Sequence, residues 1–263
     1  MIHTGLVSIT FRKLSPKKIV DLVTRAGLES IEWGGDVHVP HGNLKRAGEA
    51  CRMTVDAGLK ISSYGSYYYV GHEEDGSFSA VLDTAVELKA PAIRVWAGKQ
   101  GSRDSSAEYR NYIVSESRRI ADLAGESDIT IAYEFHSNTL TDTNESAVSL
   151  LKDTAHDNIG TYWQPPCGAS TEYYIQGLRN VLPWLSNIHV FQWKANHERQ
   201  LLADGGDLWR RYLSIVMDTG RDHFASLEFV KEDAVEVFLK DAETLKEQVK
   251  NVLRREKCIN ING

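Results

Sequence analysis

The sequence predicts an α/β fold, a single (β/α)8 barrel of the TIM barrel type spanning residues 1–263 as one domain. Three observations lead there. Short runs rich in Val, Ile, Tyr, Phe or Trp alternate eight times with longer helix-period runs. Such βα units imply a parallel sheet, because parallel strands need crossover connections. The length of 263 residues suits one closed barrel, and no GxGxxG turn follows the first strand, as an open dinucleotide-binding sheet would want.

Gly5–Phe11 reads as the first strand. Ser15 and Pro16 open the first helix as cap and first-turn residue, and Gly27 closes it. Strand Ser30–Gly35 precedes a helix over Leu44–Ala57 that stops at Gly58. Strand Lys60–Tyr68 leads to helix Ser77–Lys89, which ends before Pro91. Strand Ala92–Ala97 and helix Ser105–Ala124 follow, then strand Ile129–His136 and helix Asn144–Ala155. The last units are strand Ile159–Gln164 with helix Ser170–Leu182, strand Asn187–Lys194 with helix Leu208–Thr219, and strand Phe224–Val230 with helix Asp233–Arg255. The Lys and Glu run at 240–257 reads as a solvated helix face.

Composition bounds the function. Lys plus Arg is 30 and Asp plus Glu is 36, a net charge of −6, which opposes a nucleic-acid surface built of clustered cations. No apolar run approaches the ~20 residues of a membrane helix. Cys51, Cys167 and Cys258 form no CxxC or zinc spacing, so free thiols in a reducing compartment, hence a cytoplasmic location, are expected. A homo-oligomer is compatible with this composition.

Parallel strands buried on both faces should be almost wholly apolar. These are not. With period-2 alternation, the interior set is Glu32; Ser62, Tyr64 and Ser66; Arg94 and Trp96; Thr130, Ala132, Glu134 and His136; Tyr162 and Gln164; Val190, Gln192 and Lys194; and Ser226 and Glu228. His189 falls on the outer face. Much of the set lies toward strand C-terminal ends, where barrel enzymes place their sites. Interior pairs such as Glu134 with Lys194 or Arg94 with Glu32 would be the purely structural use of these charges. So many polar positions at one end favour a functional cavity.

The segments IEWGGDVHVP, IRVWAG, IAYEFHSNTLTD, GTYWQPPCG, IHVFQWK and SLEFV, in that order, resemble the xylose isomerase-like TIM barrels. That sugar isomerase/epimerase group also contains endonuclease IV. The resemblance covers nearly the whole chain. It implies a divalent metal held by Glu, Asp, His and Glu on strands five to eight, with the two Glu doubling as acid and base. Carried over, Glu134 and Glu228 match. Gln164 stands for the Asp, Cys167 for the His after it, and Gln192 for the His that precedes Lys194. The implied metal ligands are therefore Glu134, Gln164, Gln192 and Glu228. With two neutral amides among them, Mn or Mg is favoured over Zn. A metal-free pocket whose amides hold sugar hydroxyls is the competing account.

The implied chemistry is proton transfer beside a carbonyl of a sugar or keto-sugar, with Glu134 and Glu228 catalytic. This is an isomerase or epimerase. A lyase or dehydratase on the same scaffold shares the first step, and a non-catalytic carbohydrate-binding barrel is the remaining reading. A nuclease needs a His-rich zinc cluster that the nine His do not supply. His38, Tyr64, Arg94, Trp96, His136, Trp163 and Lys194 are the candidate substrate contacts, the aromatic ones by stacking on a sugar ring; Trp193 shares that possibility.

Overall fold

In the computed structural model, which describes residues 1–261, the strands are β1 Ile2–Val7, β2 Ser30–Gly34, β3 Lys60–Tyr69, β4 Ala92–Trp96, β5 Thr130–Tyr133, β6 Ile159–Trp163, β7 Leu185–Val190 and β8 His223–Leu227. All pairings are parallel, and the sheet closes in sequence order when β8 pairs with β1. The expected barrel is the observed one. Around it lie α1 Pro16–Ala26, α2 Leu44–Asp56, α3 Phe78–Leu88, α4 Ala107–Gly125, α5 Asn144–Thr154, α6 Thr171–Val181, α7 Gly206–Met217 and α8 Val235–Ile261. Cys51 is a buried free thiol, while the Cys258 side chain lies outside the described residues. No helix among the described residues is long and apolar enough to cross a membrane.

Local chemistry sets these boundaries. The Ser15 hydroxyl accepts the Lys18 N–H at 3.4 Å, and Gly27 ends α1 at φ 65°, a conformation that costs a residue without Cβ little. Ile19, Val20, Val23 and Ala26 are spaced to make one buried face of α1. Burying one such large aliphatic side chain stabilises the fold by about 1.5–3 kcal/mol.

Two strands break strict alternation, and both breaks move functional side chains. In β3, Ile61 pairs with Ile31 but Ser63 pairs with Glu32, leaving Ser62 as an extra residue. In β7, Leu185 pairs with Thr161 but Asn187 pairs with Tyr162, leaving Ser186 extra. Each bulge inverts the inward and outward faces beyond it. Ser63, Gly65, Asn187 and His189 therefore point inward, while Tyr64 and Val190 point to the helices. A second bulge in β3 inserts Ser66 and Tyr67 between the pairs Gly65 with Arg94 and Tyr68 with Val95.

The strands also end early at the C-terminal side. β1 stops at Val7, and Ser8–Phe11 forms a 3-10 turn that carries Arg12 over the mouth. β5 and β8 stop one residue before Glu134 and Glu228. β7 stops at Val190, so Gln192 and Lys194 leave the barrel wall.

Candidate active site

Inside the C-terminal end, four strands bring Glu134, Gln164, His189 and Glu228 together. His189 Nδ1 lies 2.9 Å from Gln164 Oε1 and 3.4 Å from both Glu134 Oε1 and Glu228 Oε2. Its Nε2 lies 3.4 Å from Glu32 Oε2. Arg94 reaches across the floor, its Nε donating to Glu32 Oε1 at 2.7 Å and its Nη1 to Glu134 Oε2. Space for that guanidinium exists because residue 65 is glycine: a Cβ there would meet Arg94 Nη2 at 2.7 Å. Trp96 Nε1 donates to the same Glu134 oxygen at 2.5 Å, and the Ser63 hydroxyl donates to Glu32 at 2.8 Å.

The two catalytic candidates differ in charge state. Burial raises both carboxyls. In Glu134 the Arg94 guanidinium overrides burial, with help from His189, and brings the carboxyl down to about 2. In Glu228 burial, reinforced by the charge of Glu134, wins over His189 and leaves the carboxyl near 7. Burial alone would make His189 a weak base. The carboxylates of Glu228 and Glu32 reverse this and lift the imidazole to about 10. Glu32 is held below the ordinary range, because Arg94 and His189 outweigh its complete burial.

One nitrogen bears at most one proton, yet His189 Nδ1 faces oxygens from three side chains. Gln164 is locked with its oxygen inward, since its Nε2 donates to the Phe135 carbonyl at 2.7 Å. Ligand atoms of Glu134, His189 and Glu228 lie within 4.8 Å of one another. Two carboxylates, an imidazole and an amide oxygen form a donor set suited to a divalent cation such as Mn or Mg.

The expected residues divide into two groups. Arg94, Trp96, Glu134, His136, Gln164 and Glu228 line one cavity of about 620 Å³ at the barrel mouth. The His136 ring lies 4.6 Å from that of Trp96. Cys167 and Trp193 also line this cavity. The rest lie elsewhere. Gln192, expected as a ligand, packs on Gly205, where a Cβ would meet its Oε1 at 2.0 Å, outside the barrel wall. His189, expected on the outer face, takes the inward place expected for Gln192, because the Ser186 bulge exchanges the faces. Lys194 is exposed and pairs with Glu198 at 3.1 Å rather than with Glu134. Tyr64 is buried among the helices and donates to the Val39 carbonyl at 2.7 Å. Trp163 packs on Tyr212 at 4.9 Å in the outer core. His38 is buried behind the first loop, 3.0 Å from Ser8 Oγ and 3.1 Å from the Leu14 carbonyl. The paired use of Arg94 and Glu32 is present.

Sequence reasoning missed Arg12 and Tyr67, both on the cavity wall. Arg12 Nη2 donates to the Tyr67 hydroxyl at 3.0 Å, and its Nη1 is paired with Asp36. Tyr67 holds φ 58°, a strained backbone for an aromatic residue that directs attention to function. The signal available in sequence was the SYYY run just after Gly65.

Comparison with known proteins agrees with this fold. A family model described as xylose isomerase-like TIM barrel matches residues 20–255. A 3-dehydroshikimate dehydratase of Bacillus anthracis is 26% identical, over 92% of this chain and 95% of its own. A solved structure of a probable 3-DHS dehydratase from the same organism superposes with a TM-score of 0.77 at 24% identity, covering 94% of this chain and 99% of that one. An L-ribulose 3-epimerase superposes at 0.73 with 14% identity, covering 98% of each chain. A Mycobacterium smegmatis barrel in complex with magnesium superposes at 0.71 with 16% identity, covering 95% of this chain and 97% of its own. The chain belongs to the xylose isomerase-like TIM barrel family.

Proposed function

We propose that this protein is a dehydratase that removes water from a hydroxy-ketone of the 3-dehydroshikimate class. The observation that carries this reading is the unequal anchoring of the two carboxylates: Arg94 and Trp96 both donate to Glu134 Oε2, and neither donates to Glu228. Epimerisation needs two groups that exchange protons on opposite faces of a carbon. Glu134 is poorly suited, because Arg94 and Trp96 both hold its Oε2. Glu228, whose carboxyl burial raises, has no such clamp and is the group placed to take a proton. One base with one fixed anion suits elimination. The similarity to the Bacillus anthracis dehydratase supports the same choice.

In this mechanism Glu228 removes the proton beside the ketone, and Glu134 remains charged as a fixed neighbour. Glu134, Gln164, His189 and Glu228 would hold the divalent ion, which supplies a Lewis acid to the oxygen that becomes an enolate. Trp96 and His136 stack to form one side of the cavity and present aromatic surface to a ring.

An isomerase or epimerase shares the first step, but Glu134 would have to leave Arg94 to return a proton. Incubation with 3-dehydroshikimate and with a panel of ketoses, in D2O with Mn, separates the two. Release of water from 3-dehydroshikimate, with no epimer from any ketose, is expected. Ketose epimerisation without dehydration would overturn the proposal.

A further inference from the structure

Elimination needs a second group: the departing hydroxyl is a poor leaving group unless it receives a proton. Glu134, held by Arg94 and Trp96, Arg94, bound to two carboxylates, and His189, whose two nitrogens face Gln164, Glu134, Glu228 and Glu32, are not free to supply it. Tyr67 stands on the same cavity wall with an O–H to give. Its oxygen accepts from Arg12 Nη2 at 3.0 Å, and among the described residues no acceptor takes its proton.

The surroundings fix that hydroxyl. Two residues inserted in β3 lift Tyr67 out of the strand ladder at φ 58°. The bulge is held by Ser66, whose hydroxyl donates to the Arg94 carbonyl at 2.7 Å and accepts the Tyr68 N–H at 3.2 Å. The ring stands edge-on to Trp96 at 5.0 Å, and Trp96 in turn donates to Glu134. The Arg94 and Arg12 guanidinium carbons lie 5.4 and 5.7 Å from its centroid. Burial raises the Tyr67 hydroxyl above its ordinary range, so it holds its proton until a departing oxygen takes it, while Arg94 and Arg12 offset part of the cost of the phenolate that remains. Bulges next to active sites are a recurrent way to re-aim one side chain.

We propose that Tyr67 is the general acid that protonates the departing hydroxyl, with Arg12 as the residue that positions it; this rests on the dehydratase reading. Glu228 takes the proton beside the ketone. A double bond forms between that carbon and the next, and the carbon–oxygen bond breaks with its electron pair on oxygen. That oxygen takes the Tyr67 proton and leaves as water. The phenolate then recovers a proton from the Glu228 carboxylic acid through cavity water, which restores both groups with no net oxidation or reduction.

The test uses Tyr67→Phe and Arg12→Met with 3-dehydroshikimate in D2O. It follows water loss, deuterium entry beside the ketone in recovered substrate, and fluoride release from an analogue with fluorine in place of the departing hydroxyl. Tyr67→Phe should lose about 10²- to 10⁴-fold in dehydration, the usual worth of a general acid. It should still exchange deuterium, and still expel fluoride, which leaves without a proton. Arg12→Met should show the same split with a smaller loss, and it carries the test if Tyr67→Phe does not fold. Equal loss of exchange, dehydration and fluoride release would overturn the assignment. So would dehydration at the wild-type rate in both variants. A wild-type protein that exchanges deuterium but releases no water overturns the dehydratase reading, and the assignment with it.

Discussion

The two ends of the barrel handle charge in opposite ways. At the N-terminal end it stays on the surface. The Met1 ammonium meets Asp222 at 2.7 Å, with the two side chains 72% and 70% exposed, and His3 meets the exposed Glu29 at 2.7 Å. The interior there is neutral: the Asn187 amide donates to the Tyr162 hydroxyl at 2.9 Å and accepts the Phe224 N–H at 2.8 Å. At the C-terminal end Glu32, Arg94, Glu134, His189 and Glu228 are all buried. Desolvating such groups costs several kcal/mol each before pairing offsets it. The lower half shows that neutral side chains can fill this barrel. The proposed function gives the charge in the upper half a use that filling the barrel does not require.

The sharpest way to break this contrast is to remove one charge from each end. Arg94→Met leaves Glu32 and Glu134 buried with only His189 as counter-charge and should cost about 3–5 kcal/mol, read as a lower urea midpoint, with activity lost. Asp222→Ala should leave the midpoint where it is, since an exposed pair is screened by water. Equal losses at both ends would mean that the buried charges are ordinary structural pairs.

Next in size is Glu228→Gln. Turnover should fall about 10²- to 10⁴-fold, while the urea midpoint holds or rises, because a buried carboxylate beside Glu134 is relieved. A variant with wild-type turnover would remove Glu228 from the mechanism.

A smaller effect separates inside from outside at one end. Gln164→Asp adds an anionic ligand beside His189 and should tighten Mn binding about tenfold, or ~1.4 kcal/mol, by calorimetry. Gln192→His, outside the wall, should change nothing. Tightening by the second variant and not the first would reverse the assignment of ligands.

The smallest effect lies in the helical layer, away from both ends. Asp241 on α8 accepts the Leu202 N–H at 2.9 Å, and burial lifts its carboxyl from 3.8 to about 6. The folded chain then binds more protons than the unfolded chain between those values, so this group's contribution to stability falls as pH rises through that window. Asp241→Asn keeps an acceptor for Leu202. Its urea midpoint should match wild type near the lower value and exceed it above the upper one. Parallel pH profiles for the two proteins would contradict this.

The repeat of strand and helix, the barrel and the pair Glu134 with Glu228 were legible in the sequence, because periodicity and polar residues in apolar strands are local signals. The face of each side chain was not, where a bulge intervened. Ser62 and Ser186 are ordinary strand residues that leave no mark when they become extra, so Tyr64 was read inward and His189 outward. The choice of Gln192 followed from the resemblance, which places a ligand just before Lys194, and the unbroken alternation did not oppose it. Arg12 and Tyr67 were missed for another reason: they lie where the chain leaves the regular ladder, and alternation says nothing of such positions.

The second bulge of β3 has a consequence for how such a protein can change. The ladder with β4 resumes at Tyr68 as though Ser66 and Tyr67 were absent. Pairing with β4 therefore does not depend on what position 67 carries, while Ser66 ties the inserted turn to the strand. Position 67 behaves as a graft site, where a relative could exchange one aromatic hydroxyl for another group and acquire a different preference while its scaffold remained intact.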